Sequence, residues 1–115
     1  MKYKIVLVPF PFDDFPGTKV RPALCLTEKI GKHNHVVIAF ITSKTPTDKT
    51  PTDIVIEKSE HSGLKVDSVL RLHRVTTIPA ELIKRQLGTI TTSKKSEVQK
   101  KLLKLFELNP DMKVL

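Results

Sequence analysis

Val36-Val37-Ile38-Ala39-Phe40-Ile41-Thr42 is the stretch on which the fold turns. A run this apolar leaves no polar face, so it predicts a strand covered on both sides, near the middle of a sheet. Just upstream, Gly31-Lys32-His33-Asn34-His35 supplies turn chemistry, and residues 21–28 read as a second strand. Residues 4–8, aliphatic and β-branched, read as an opening strand that ends at Pro9. Between these two, residues 9–19 carry too many prolines for regular structure. Downstream, the polar, proline-containing residues 43–52 form a loop, and Asp53-Ile54-Val55-Ile56-Glu57 a short strand. Ser62-Gly63-Leu64-Lys65 marks a turn, and residues 67–72 and 86–91 return as strands. Pro79-Ala80-Glu81-Leu82-Ile83 fits one helical turn with proline at its tolerated first position. The period then changes. Ser93 is placed to cap a helix whose Val98, Leu102, Leu105 and Phe106 share one face. The pattern predicts a mainly β chain with a C-terminal α-helix: a small, strongly bent antiparallel sheet or barrel, one domain over residues 1–115.

Composition narrows the function classes. With 39% hydrophobic residues in 115, the chain can build one core and not two. No segment reaches the roughly 20 apolar residues of a membrane helix, and the first residues lack the pattern of a signal peptide. A single cysteine excludes an internal disulfide and a cysteine-based zinc site. These readings predict a soluble cytoplasmic protein. Twenty Lys+Arg against 12 Asp+Glu give a formal charge of +8, which favours an anionic partner such as nucleic acid or an acidic protein segment. Six lysines of the C-terminal segment read as a solvated helix face.

The pair Arg21–Pro22 stands where the proline-rich loop meets the strand Ala23-Leu24-Cys25-Leu26-Thr27. A residue before proline is biased to extended backbone. A planar, permanently charged guanidinium held on such a backbone suits a phosphate.

Several stretches, taken in order, carry a resemblance. They are Ile5-Val6-Leu7-Val8-Pro9-Phe10, Gly17-Thr18-Lys19-Val20-Arg21-Pro22-Ala23-Leu24, and Ala39-Phe40-Ile41-Thr42-Ser43. Gly63-Leu64-Lys65-Val66-Asp67-Ser68-Val69-Leu70-Arg71 and Ile83-Lys84-Arg85-Gln86-Leu87-Gly88 complete the series. Over most of its length the chain resembles the MazF/PemK-like toxins, the ribonuclease halves of bacterial type II toxin–antitoxin pairs. The resemblance implies a compact SH3-like barrel, a homodimer, and metal-independent cleavage of single-stranded RNA at a short sequence motif. It also implies a cognate antitoxin that binds through an acidic segment. Position by position, Arg21 resembles the family's catalytic arginine and Thr42 its accompanying hydroxyl residue. Arg71 aligns with an arginine near the scissile phosphate. Two residues beyond it, where some relatives carry a carboxylate, this chain has His73.

The residues can be weighed against that chemistry. Metal-free RNA cleavage needs a base for the 2′-hydroxyl, cationic donors for the phosphorane charge, and an acid for the leaving oxygen. Arg21 and Arg71 can bracket the phosphate, with Thr42 donating a hydrogen bond. On a regular strand His73 would share the face of Arg71, and an imidazole titrates near neutral pH, as base or as acid. Arginine is a poor proton donor, so the proton-transfer groups stay unassigned. Without the resemblance, Thr42 would read as a strand-end hydrogen-bonder and Arg71 as a surface ion pair. Lys19 and Lys44 are expected on the RNA backbone, and Pro22 and Ser43 beside Arg21 and Thr42 belong to the same contact set. Phe12 serves either as a base-stacking ring, with Phe15, or as a lid on the barrel. Cys25, between Leu24 and Leu26, reads as packing. No metal ligand set or cofactor motif is present in the sequence. A non-catalytic toxin or binding module on the same barrel is the alternative function.

Overall fold

The computed structural model describes residues 1–10 and 19–108. Six strands, β1 (Lys4–Phe10), β2 (Lys19–Cys25), β3 (His35–Thr42), β4 (Asp53–Ile56), β5 (Ser68–Pro79) and β6 (Arg85–Thr89), precede one helix, α1 (Thr92–Leu105). A 3-10 turn, Ala80–Leu82, joins β5 to β6. Every ladder is antiparallel, in the order β4-β5-β3-β2-β1-β6. The sheet curls into a half-barrel, which realises the expected small bent barrel.

The reason for the unbroken apolar run in β3 is visible in the packing. Ala39 and Ile41 enter one core cluster with Ile5, Leu24, Leu70 and Leu72. Val36 and Ile38, on the other face, enter a second with Val6, Val8, Ala23, Cys25 and Ile78. Each fully buried Leu or Ile side chain contributes about 1.5–3 kcal/mol of transfer free energy. The first cluster is closed by α1, through the buried Val98 and the half-buried Leu102 and Leu105. The second is bordered by Met1, Phe40 and the segment around the 3-10 turn.

Several boundaries differ from the sequence expectation. β1 does not stop before Pro9: Pro9 pairs with Val20 and Phe10 with Lys19. The β6 ladder covers β1 only from Lys4 to Leu7, and the β3 ladder covers β2 only from Ala23 to Cys25. Pro9 and Pro22 therefore lie where their strand has one ladder partner, the edge setting in which a missing N–H is tolerated. β2 accordingly begins at Lys19 and ends at Cys25. Its tip and that of β1 form a two-stranded extension that carries Arg21 out of the sheet, opposite Val8. β5 runs on to Pro79, so Pro79 ends a strand and caps the 3-10 turn rather than opening it. The helix is capped by Thr91, not Ser93: Thr91 Oγ1 accepts from Lys94 N at 3.3 Å. Phe106 is the C-cap residue and is 56% exposed, so it leaves the packed face.

Candidate functional site

Arg21, Thr42 and Arg71 come together on the wall of a cavity of about 760 Å3. It opens beside the two-stranded extension, the C-terminal end of β3 and the turn before β5. Among the described residues the lining holds six cationic side chains, Arg21, Lys44, Lys65, Arg71, Arg74 and Arg85, and one carboxylate, Asp48. Phe10 and Phe40 meet edge to face on the wall, centroids 5.3 Å apart at 71°. A cationic cavity with aromatic surface can hold a phosphate chain and stack an unpaired base.

Each expected residue takes a definite place. Arg21 is exposed and makes no ion pair among the described residues, so its donors are open to a ligand. Pro22, Ser43 and Lys44 line the cavity, whereas Lys19 is exposed and outside the lining. Thr42 is the last residue of β3, and its Oγ1 accepts from Lys44 N at 3.2 Å. That bond is the strand-end role its position predicts, and it leaves the hydroxyl proton to donate. Phe12 and Phe15 lie outside the described residues.

Arg71 is neither a surface ion pair nor an open cation. Its side chain is 9% exposed, with Nε 3.0 Å from Asp53 Oδ1 and Nη1 3.2 Å from Asp48 Oδ1. Nη2 also donates to the Asp48 backbone carbonyl at 3.1 Å. The Nε proton is not aimed at the Asp53 oxygen, so that contact is Coulombic rather than a directed hydrogen bond. The hydrogen bond that Arg71 donates to Asp48 raises the guanidinium pKa further, against the opposing effect of burial. In return the Arg71 hydrogen bond, followed by that of its own backbone, holds the Asp48 carboxyl below the usual range.

His73 does not join Arg71 in the cavity, and this corrects the expectation from strand alternation. Arg71 pairs with Phe40 and Val75 with Ala39, so residues 72–74 of β5 have no counterpart between two adjacent residues of β3. This bulge resets the alternation. It sends Arg74 into the cavity and leaves His73 exposed outside the lining. Arg74 and Arg85 are thus functional candidates that sequence reasoning did not pick out. Arg85 stood inside one of the quoted stretches, and its charge was the available signal. Arg74 stood outside those stretches, and only the pairing with β3 shows the bulge that places it at the cavity.

The remaining chemistry is quickly placed. Cys25 is fully buried, and burial pushes its thiol pKa from 9.0 to about 11, so it is protonated at neutral pH and acts in packing. Among the described residues, no group of three His, Cys, Asp or Glu is placed to hold a metal ion. No helix among them is long and apolar enough to cross a membrane. A second cavity of about 790 Å3, near the start of β3 and the end of β5, is lined by His33, His35 and Lys32 but contains none of the arginine cluster.

The family model for the PemK-like, MazF-like toxin of type II toxin–antitoxin systems matches residues 1–106. The chain belongs to this toxin family. Solved structures agree in fold. The Mycobacterium tuberculosis toxin MazF-mt6 matches with a TM-score of 0.73 at 23% identity, covering 92% of this chain and 98% of that one. The MazE–MazF structure (Form-III) from Deinococcus radiodurans matches with a TM-score of 0.67 at 19% identity, over 94% and 96% of the two chains. A mycobacterial endoribonuclease in complex with its cognate antitoxin matches with a TM-score of 0.66 at 14% identity, over 95% and 94%. At these identities the neighbours speak for the fold. Within the toxin family, the site itself has to be read from this chain's own side chains.

Proposed function

We propose that this toxin is an endoribonuclease that cleaves single-stranded RNA, mRNA included, at a short sequence motif and without a metal ion. The observation that carries the reading is the convergence of Arg21 and the Thr42 hydroxyl with Arg74 and Arg85 on one cavity. In the reaction the 2′-oxygen attacks phosphorus and loses its proton. The bond from phosphorus to the 5′-oxygen breaks, and that oxygen takes up a proton. The products are a 2′,3′-cyclic phosphate and a 5′-hydroxyl. Arg21, exposed at the tip of the β1–β2 extension, donates to the non-bridging oxygens as negative charge accumulates. Thr42 donates its hydroxyl hydrogen to the same phosphate. Arg74 and Arg85, with Lys44 and Lys65, hold the flanking phosphates, and the Phe10–Phe40 pair offers a surface for a base. Arg71, tied to two aspartates, positions the cavity wall.

Family membership and the cationic lining support a cognate antitoxin with an acidic segment as the protein partner. A homodimer in the cytoplasm belongs to the same reading.

The direct test is incubation of the purified protein with a long mixed-sequence RNA in EDTA, with fragment ends read by sequencing and mass spectrometry. Cyclic-phosphate and 5′-hydroxyl ends are expected at a recurring motif. A folded protein that leaves the RNA intact, yet arrests growth when expressed, would establish a non-catalytic toxin instead.

The two arginines added by the structure have their own signature. Arg74→Ala and Arg85→Ala are each expected to weaken binding of a non-cleavable oligonucleotide. Each should also flatten the dependence of log Kd on log salt by about 0.7, the loss of one single-strand phosphate contact. An unchanged slope in either variant would remove that residue from the RNA path.

A further inference from the structure

Arg71 carries two carboxylates, and they are not equivalent. Asp53 belongs to the sheet. It stands opposite Arg71 in the β4–β5 register, and its side chain is 12% exposed. Its carboxylate accepts from Thr50 N and Thr50 Oγ1, both at 3.0 Å, and its backbone carbonyl accepts from Lys101 Nζ of α1 at 2.9 Å. Four groups therefore fix Asp53 in place, and its one negative charge already balances the guanidinium.

Asp48 differs in every respect. It comes from the loop between β3 and β4, its side chain is 80% exposed, and it lines the cavity while Asp53 does not. Apart from its own backbone, its carboxylate is held by Arg71 alone among the described residues. It meets the guanidinium with two oxygens, Oδ1 on Nη1 at 3.2 Å and the backbone oxygen on Nη2 at 3.1 Å. Two acceptor oxygens on the two outer nitrogens of one guanidinium is the geometry by which arginine takes a phosphodiester through its non-bridging oxygens. With Asp53 already balancing Arg71, Asp48 places a negative charge on a wall whose other charged side chains, among the described residues, are all cations. Because the Asp48 side of this pair is open to water, it is weakly held and exchanges readily for another anion.

Resting on the RNA reading of this cavity, we infer that Asp48 occupies a phosphate subsite of the toxin: on RNA entry its two oxygens leave Arg71 and a backbone phosphate takes their place. One anion replaces another, so the charge at Arg71 is the same before and after, and no bond is made or broken. Loop residue Asp48 thereby acts as an internal competitor for substrate. Arg71 becomes a switchable contact whose inner half, on Asp53, stays anchored to the sheet and to α1.

The test is a double-mutant cycle on binding of a 2′-O-methyl single-stranded oligonucleotide, followed by fluorescence anisotropy, with Asp48→Asn, Arg71→Gln and the double variant. Asp48→Asn is expected to tighten binding about two- to fivefold, the worth of one exposed ion pair, and to have no such effect when Arg71 is Gln. Equal tightening in both backgrounds would show a general charge effect and overturn the exchange. Unchanged or weaker binding with a lowered Tm would make Asp48 a structural pin, and would overturn it as well.

Because Arg71→Gln strands Asp53, that variant can fail to fold. The guanidinium 15N resonances of the unsubstituted protein then decide: the Arg71 signal must move when oligonucleotide is added, and a stationary signal overturns the exchange. If the protein binds no oligonucleotide at all, the RNA reading of the cavity fails. Inorganic phosphate moving the Arg71 signal more in Asp48→Asn than in the parent would still uphold the anion subsite. A response to an acidic peptide but to neither phosphate nor oligonucleotide would assign the subsite to a protein carboxylate and overturn the proposal.

Discussion

Arg21→Ala is expected to slow RNA cleavage by about 10²–10³-fold, the effect of removing one preorganised donor from a developing oxyanion. The same substitution should leave the unfolding transition almost where it is. Arg21 is exposed, and among the described residues it makes no ion pair that its removal would break. Substitutions at such surface positions usually stay within about 0.5 kcal/mol. Single-turnover cleavage and a thermal melt on the same preparation separate the two effects. Arg21→Lys should recover only part of the rate, because an ammonium keeps the charge but not the planar fork of donors. A melt that collapses along with the activity would make Arg21 a structural residue and return the catalytic question to Arg74 and Arg85. The contrast with Arg71 is instructive. Both arginines line the cavity, yet among the described residues one is bound to two carboxylates and the other to none.

The largest loss of stability is expected at two glycines, Gly63 and Gly88, where a turn lies flat against β6. A Cβ on Gly88 would sit 2.6 Å from both the carbonyl carbon and oxygen of Ser62, and closer still to the carbonyl oxygen of His61. A Cβ on Gly63 would sit 2.6 Å from the carbonyl carbon of Leu87, and Gly63 also has φ of +72°, where a side chain is strained. In both cases the obstacle is backbone, which cannot turn aside as a flexible side chain can. Either alanine must push the turn off the strand, breaking the bond from Thr89 N to His61 O at 2.9 Å. It would also disturb the β1–β6 register beside the irregularity at Ile5/Val6. We expect Gly88→Ala and Gly63→Ala each to cost about 3 kcal/mol or more, combining overpacking with lost hydrogen bonding. Denaturant titration measures this directly, and a midpoint like that of the parent would disprove the close approach. The consequence reaches the site, since Gly63, Leu64 and Lys65 form part of the cavity wall.

These two expectations rest on different kinds of knowledge. The exposed placement of Arg21 was legible in the chain: its place before Pro22, and the residues around it, pointed to a presented guanidinium. That Gly63 lay in a turn was equally plain. That the turn presses on Gly88, 25 residues further on by sequence number, was not.

What the chain determined by itself is local. An apolar run such as residues 36–42 has no polar face to turn to water, so it had to become a buried central strand, and it did. Val98, Leu102 and Leu105 had to share a helix face because 3.6 residues make a turn. Prolines at 9 and 22 limited how many ladder partners those positions could have. The tertiary structure decided what depends on two segments at once. β5 reads as ending near the polar pair His73-Arg74, yet it continues to Pro79 because β3 offers a ladder along its whole length. Accommodating that partner forces the bulge at residues 72–74, and the bulge exchanges His73 for Arg74 at the cavity. Asp53 meets Arg71 through the β4–β5 register, and Asp48 meets it from the β3–β4 loop, so the charge group needs three segments at once. Side-chain alternation is a property of one strand, whereas register, bulges and charge pairing are properties of two strands together. The sequence of one strand cannot contain them.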